Sequence, residues 1–117
     1  MAAAIQLTVQ IYKMTSSFPD SERFGLTNQL QRAAVSVASN IAEGYGRTSK
    51  GEYIQFLGHA RGSSYEIETQ IAIARELGFA TRELLGASEL LCLEVSRMLS
   101  TMILSLRREE LTVPLDP

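Results

Sequence analysis

Leu26-Thr27-Asn28-Gln29-Leu30-Gln31-Arg32-Ala33-Ala34-Val35-Ser36-Val37-Ala38-Ser39-Asn40-Ile41-Ala42-Glu43 is the stretch on which the fold turns. Leu26, Leu30, Ala33, Val37 and Ile41 recur at steps of four, three, four and four, which is the spacing of one face of an α-helix and not the alternation of a strand. The helix is expected from about Ser21 to Glu43, a length of about 35 Å at the usual rise, and this sets the height of the domain. Within it, Ala33 to Ser39 is a run of small side chains that lets a neighbouring backbone come close. Asn40 borders the apolar stripe, and an amide there satisfies itself against a partner helix and fixes register.

Three more helical segments surround this one. Upstream, roughly Ala2 to Ser16, Ile5, Val9, Tyr12 and Ser16 form one stripe, with Leu7, Ile11 and Met14 beside it. Ser17-Phe18-Pro19-Asp20 ends that segment, because the residue before proline avoids the α region. Downstream, Gly44-Tyr45-Gly46-Arg47 breaks the second helix, and Ser49-Lys50-Gly51-Glu52 reads as a capping box opening the third. Tyr53, Phe56, Ala60, Ile67, Ile71 and Ala74 supply the third apolar stripe, which Leu77-Gly78-Phe79 stops with a glycine suited to the left-handed position. Thr81 precedes a fourth segment to about Glu110, with Leu84, Leu91, Val95, Met98 and Met102 as its main stripe. Residues 1–111 are thus read as one domain and 112–117, with Pro114 and Pro117, as a tail that cannot extend the helix.

Four amphipathic helices with short turns make an all-α, antiparallel up-down four-helix bundle the natural solution. The fourth helix carries more apolar surface than one face of a monomeric bundle uses. Leu90, Leu93, Leu99, Ile103, Leu104 and Leu106 lie outside or at the edge of its main stripe and extend its arc beyond the usual ~100°. Leu93, Leu99, Ile103 and Leu106 are the candidate oligomer interface, the alternative being a scatter of exposed leucines.

At 117 residues, 45% of them hydrophobic and 21% charged, the chain is a folded protein with one small core. Its net charge of −2 excludes a uniformly basic surface, but the charge is unevenly spread. Residues 1–65 hold six basic and four acidic side chains, and residues 66–117 hold five and nine. The basic members Lys13, Arg23, Arg32, Arg47, Lys50 and Arg61 are expected to gather on one side of the bundle or of a ring built from it, where assembly would multiply a mild patch. One cysteine, Cys92, excludes a disulfide framework within the chain and reads as a small buried hydrophobe. The longest apolar uncharged run, Met98 to Leu106, is about half of the ~20 residues a membrane helix needs, and no secretory pattern opens the chain, so a cytoplasmic protein is expected.

No catalytic set assembles. His59, the one histidine, falls with Glu52, Gln55 and Glu66 on the solvent side, and positions 55, 56, 62 and 63 offer it no metal-binding companion. The carboxylates Glu66 and Glu68, or Glu109 and Glu110, face different directions on their helix and make no acid and base pair across a cleft. No cofactor, metal or small-molecule substrate is therefore expected. The loop Glu43 to Gly51 lacks both phosphate-loop spacings. Arg47 and Lys50 nonetheless flank the amino end of the third helix, where an anion is favoured, with Tyr45 placed to stack on a base; the alternative is a capped turn with solvated charges. Arg61, Glu68 and Arg75 recur at sevens along the core edge, about 10 Å apart, so each is expected to pair with another helix or subunit. Arginine outnumbers lysine nine to two, which suits such planar, bidentate pairing.

The segments Phe18-Pro19, Gly25-Leu26-Thr27, Gln29-Leu30, Arg32-Ala33-Ala34, Ser36-Val37 and Asn40-Ile41-Ala42-Glu43-Gly44 resemble a bacterial four-helix-bundle family. That family is named for open reading frames inside 23S ribosomal RNA intervening sequences and is also called S23 ribosomal protein-like. Phe56-Leu57, Ala60-Arg61-Gly62-Ser63, Glu66, Glu68-Thr69-Gln70 and Leu77-Gly78-Phe79 continue the likeness, which spans roughly residues 7 to 106. The resemblance implies an up-down bundle and a ring-shaped homopentamer. It also implies a relation to the accessory variability proteins of diversity-generating retroelements, which bind RNA and a reverse transcriptase through a basic surface. Carried over, that role falls on Arg32 and Arg47, with Lys13, Arg23, Lys50 and Arg61. Two non-enzymatic functions follow as expectations: association with structured RNA or a ribonucleoprotein, or a protein-only adaptor showing the acidic third and fourth helices to a basic partner.

Overall fold

Helix α1 (Ala2–Thr15) leads through a single 3-10 turn (Asp20–Glu22) to α2 (Leu26–Tyr45), α3 (Lys50–Leu77) and α4 (Arg82–Leu111) in a computed structural model that describes residues 1–111, the side chains as far as 109. No strand occurs among the described residues, and the predicted tail 112–117 lies outside them. α1 packs against α2 and α4, α2 against α3, and α3 against α4, so the four helices close around one core. Side-chain bonds record how they pass one another. Thr8 Oγ1 donates to the Ala34 carbonyl at 3.2 Å and Gln31 Nε2 to Thr15 Oγ1 at 3.1 Å, so numbers rise on α1 as they fall on α2. The same inverse order holds for Ser36 with Ser63 and Gln29 with Gln70, and for Arg61 with Ser100 and Arg75 with Glu89.

The ends follow from local chemistry. Ser49 Oγ accepts from the Glu52 amide at 3.1 Å, and Thr81 Oγ1 from the Leu84 amide at 3.2 Å, so both hydroxyls cap the helices they precede. Gly78, at φ 69°, closes α3 in the left-handed region, and the Phe79 amide donates back to the Ala74 carbonyl at 3.0 Å. Phe79 then meets Phe18 of the α1–α2 connection, ring centroids 5.5 Å apart.

The second helix starts five residues later than expected. After Pro19 the chain makes one tight turn, and the Glu22 carboxylate accepts from the Leu26 amide at 3.1 Å, doing the work of a cap. At its far end Gly44 is buried where α2 meets α3: a Cβ there would stand 2.8 Å from the Tyr53 ring and 3.2 Å from Phe56 Cβ.

The inward faces differ from expectation on two helices. In α1 the core takes Ala4, Leu7, Ile11 and Met14, while the stripe Ile5, Val9 and Tyr12 stays about half exposed. In α4 the core takes Leu85, Ser88, Cys92, Val95, Ser96, Leu99 and Ile103; Leu84, Leu91, Met98 and Met102 lie at its edge. Leu99 and Ile103 are thereby corrected as interface candidates, since both are essentially inaccessible within their own chain. Leu93 and Leu106 are partly exposed, whereas Leu90 and Leu104 are the large apolar side chains that α4 shows most.

Candidate functional site

The basic side chains are held in separate places. Lys13 lies in the last turn of α1 and Arg23 just after the 3-10 turn, its guanidinium 5.7 Å from the Phe24 ring centroid. Arg32 projects from the middle of α2. Arg47 follows 15 residues later, about 22 Å along the helix direction, and it is engaged twice: Nη2 is 2.9 Å from Glu43 Oε2, and the guanidinium lies 4.6 Å from the Phe56 centroid. Lys50 Nζ donates to Glu109 Oε2 at 2.7 Å. Tyr45 is exposed, its ring 5.5 Å from that of Tyr53, whose phenol is pushed up by burial first and then by the Tyr45 hydroxyl. Arg61 is turned toward α4, where Nη1 donates to Ser100 Oγ at 3.4 Å. Arg47 and Lys50 are thus engaged by carboxylates and Arg61 by a hydroxyl, while Lys13 and Arg23 lie on other elements than Arg32.

Arg32, like Lys13 and Arg23, makes no hydrogen bond or ion pair with another side chain among the described residues, and it stands between two open clefts. One, of about 350 Å³, runs between α2 and α3 past Gln29, Glu66 and Gln70. The other, of about 320 Å³, runs between α2 and α1 past Tyr12, Gln31 and Val35. Asn28, Arg32 and Ser36 line both. Gln70 reaches across the first cleft to Gln29, Nε2 to Oε1 at 3.3 Å, and its own Oε1 is buried without a hydrogen-bond partner.

The structural polar residues resolve into a ladder. Asn40 does not bond across helices: its Nδ2 donates to the Ser36 carbonyl at 2.8 Å and to Ser36 Oγ at 3.0 Å. The cross-helix link belongs to Ser36 and Ser63, hydroxyl to hydroxyl at 2.9 Å. Where α3 faces α4, Ser64 and Ser96 hydroxyls meet at 2.8 Å, and Cys92 Sγ donates to the Ser64 carbonyl at 3.1 Å. Burial above all, then the Glu68 carboxylate, pushes the Cys92 thiol up to about 12. Of the predicted stripe, Arg75 pairs with Glu89 of α4 at 2.9 Å, Arg61 meets Ser100, and Glu68 is exposed beside Tyr65, Leu93 and Arg97. These serines and glutamines were missed in the sequence. Small hydroxyl residues at positions 64, 88 and 96 carry the helical spacing of a core face, and that spacing was the available signal.

His59 is exposed, edge-on to Phe56 at 6.0 Å. Among the described residues, no group of three or more His, Cys, Asp or Glu is arranged to hold a metal, and no helix is long and apolar enough to cross a membrane.

Comparison with known proteins places this geometry in context. A family model described as 23S rRNA-intervening sequence protein matches residues 1–101. Among solved structures, the chain is similar to a protein of unknown function from the S23 ribosomal protein family of Bacteroides thetaiotaomicron, with 22% identity and a TM-score of 0.78. The likeness covers 87% of this chain and 95% of that one, and at this identity it speaks for the fold. No curated protein matches.

Proposed function

The chain belongs to the 23S rRNA-intervening sequence protein family, and on that premise we propose that it is a non-enzymatic, antiparallel up-down bundle that assembles as a ring-shaped homopentamer and associates with structured RNA or a ribonucleoprotein. The observation that carries the RNA reading is Arg32, an exposed guanidinium on the outer face of α2, unpaired with any other described side chain and set among amides. The other tethered cations contribute less, because Arg47 and Lys50 already face carboxylates. Assembly is supported by apolar side chains surplus to the core: Ile5, Val9 and Tyr12 on α1, and Leu90 and Leu104 on α4. A ring would repeat Arg32 once per subunit, and the weak field of one chain becomes a circle of cations.

Light scattering combined with retention of a structured RNA tests both parts. A mass near five times 12.9 kDa is expected, with retention that falls steeply between about 50 and 200 mM salt. Arg32→Gln should weaken retention and flatten the salt dependence more than Arg47→Gln does. A monomer overturns the ring, and retention indifferent to Arg32 overturns the RNA reading. Recovery of one basic protein after nuclease treatment would instead favour the adaptor that displays α3 and α4.

A further inference from the structure

The cleft between α2 and α3 contains an unmet chemical demand. Gln70 is only 9% exposed, its Nε2 is donated to Gln29, and its Oε1 accepts from nothing among the described residues. A buried acceptor without a donor is destabilising. What would satisfy it is an N–H. Glu66 on the same wall presents carboxylate oxygens as further acceptors, so the cleft favours a ligand that brings donors. Arg32 makes the opposite demand, since its guanidinium only donates and suits an anionic oxygen. With two acceptors on it, one side of the cleft thus asks for an amino group, whose two N–H bonds serve both, and the other for a negative charge.

A nucleotide carries both. The cleft's volume of about 350 Å³ falls within the range of small-ligand sites. Its walls are polar except for Ala33, so they lack the apolar anchors on which peptide partners usually depend. Across Arg32 the second cleft offers the half-exposed Tyr12 ring, a surface on which a neighbouring base can stack. Asn28 and Ser36, common to both clefts, flank the crossing point.

We infer that the paired clefts on either side of Arg32 bind a single-stranded RNA segment, with an amino-bearing base such as cytosine or adenine against Gln70 and Glu66, a phosphate on Arg32 and the adjacent base on Tyr12. This rests on the RNA reading above and deepens it, because unpaired loops are the parts of structured RNA whose base edges can be read.

The test is fluorescence anisotropy of the full chain with labelled 12-nucleotide strands of cytidine, adenosine or uridine, alongside the structured RNA. Cytidine and adenosine strands should bind at least about fivefold tighter than uridine, as one good base contact provides. Gln70→Leu removes the amide and should erase that preference. Arg32→Gln should weaken all strands alike and lower the salt slope. If Gln70→Leu does not fold, Glu66→Gln at the exposed rim reads the same preference. Equal affinity for the three strands, or a preference that survives both substitutions, overturns the cleft assignment; if the structured RNA is still retained, the broader reading stands. Retention of neither overturns both. Displacement of the strand by cytidine monophosphate at matching concentration assigns the cleft to a free nucleotide and overturns the strand.

Discussion

Cys92 shows at the scale of one residue how a core position acquires a pH signature. Its thiol is buried against α3, donating to the Ser64 carbonyl, and burial with the Glu68 charge lifts its pKa from about 9 to about 12. Above pH 9 the unfolded chain releases a proton that the folded chain keeps, so stability falls as pH rises. The contribution is complete below about pH 9 and is lost progressively up to about pH 12. Urea melts of the parent and Cys92→Ala should therefore run parallel from pH 7 to 8.5 and converge above pH 9, as the parent alone pays this alkaline penalty; parallel behaviour to pH 10.5 would refute the assignment. The expectation of a small buried hydrophobe at this position was legible, because Cys92 lies one helical turn from Val95 and Ser88.

At the scale of the element, glycines on α2 and α3 make opposite predictions. Gly44 is buried where a methyl group would strike the Tyr53 ring and Phe56 Cβ, so Gly44→Ala should lower stability by about 1–3 kcal/mol despite alanine's better helix propensity. Gly62 is exposed inside α3 with nothing within 4 Å of its Cβ position, and Gly62→Ala should raise stability by up to about 1 kcal/mol. Thermal melts of the two variants check both signs. Helix identity, the Ser49 and Thr81 caps and the Gly78 stop could be read from sequence because each depends on neighbours a few residues away. Which face of a helix turns inward could not. In α1, Ile5-Val9-Tyr12 and Leu7-Ile11-Met14 have equally helical spacing, and only the approach of α2 and α4 selects the second. In α4, weight given to Leu and Met over Ser88, Cys92 and Ser96 rotated the expected stripe away from α3, where small hydroxyls allow close contact.

Across the whole molecule, topology decides what charge and composition leave open. The basic residues that share a sequence half are spread by helices about 30 Å and 42 Å long. The clefts beside Arg32 are assembled from side chains up to 41 positions apart, such as Gln29 and Gln70, so no local motif announces them. Arg32 itself was legible as a candidate, through its position in the resemblance and the charge count. Its distinction from Arg47 and Lys50 was not, because that depends on where Glu43 and Glu109 come to rest.

The contact between Phe18 and Phe79 ties the α1–α2 connection to the turn between α3 and α4, joining two loops that are remote in sequence. Phe18 is the buried apolar side chain between Met14 and Leu30, so this ring governs local opening of the segment that follows it. Phe18→Ala should leave the helical signal near its parent value at 25 °C while exposing the backbone after Arg23 to trypsin. A cleavage rate unchanged from the parent would locate the anchoring of that segment elsewhere. A loop that opens independently of the helices would give the surface beside Arg32 a protease-accessible neighbour, with a lifetime set by a single pair of rings.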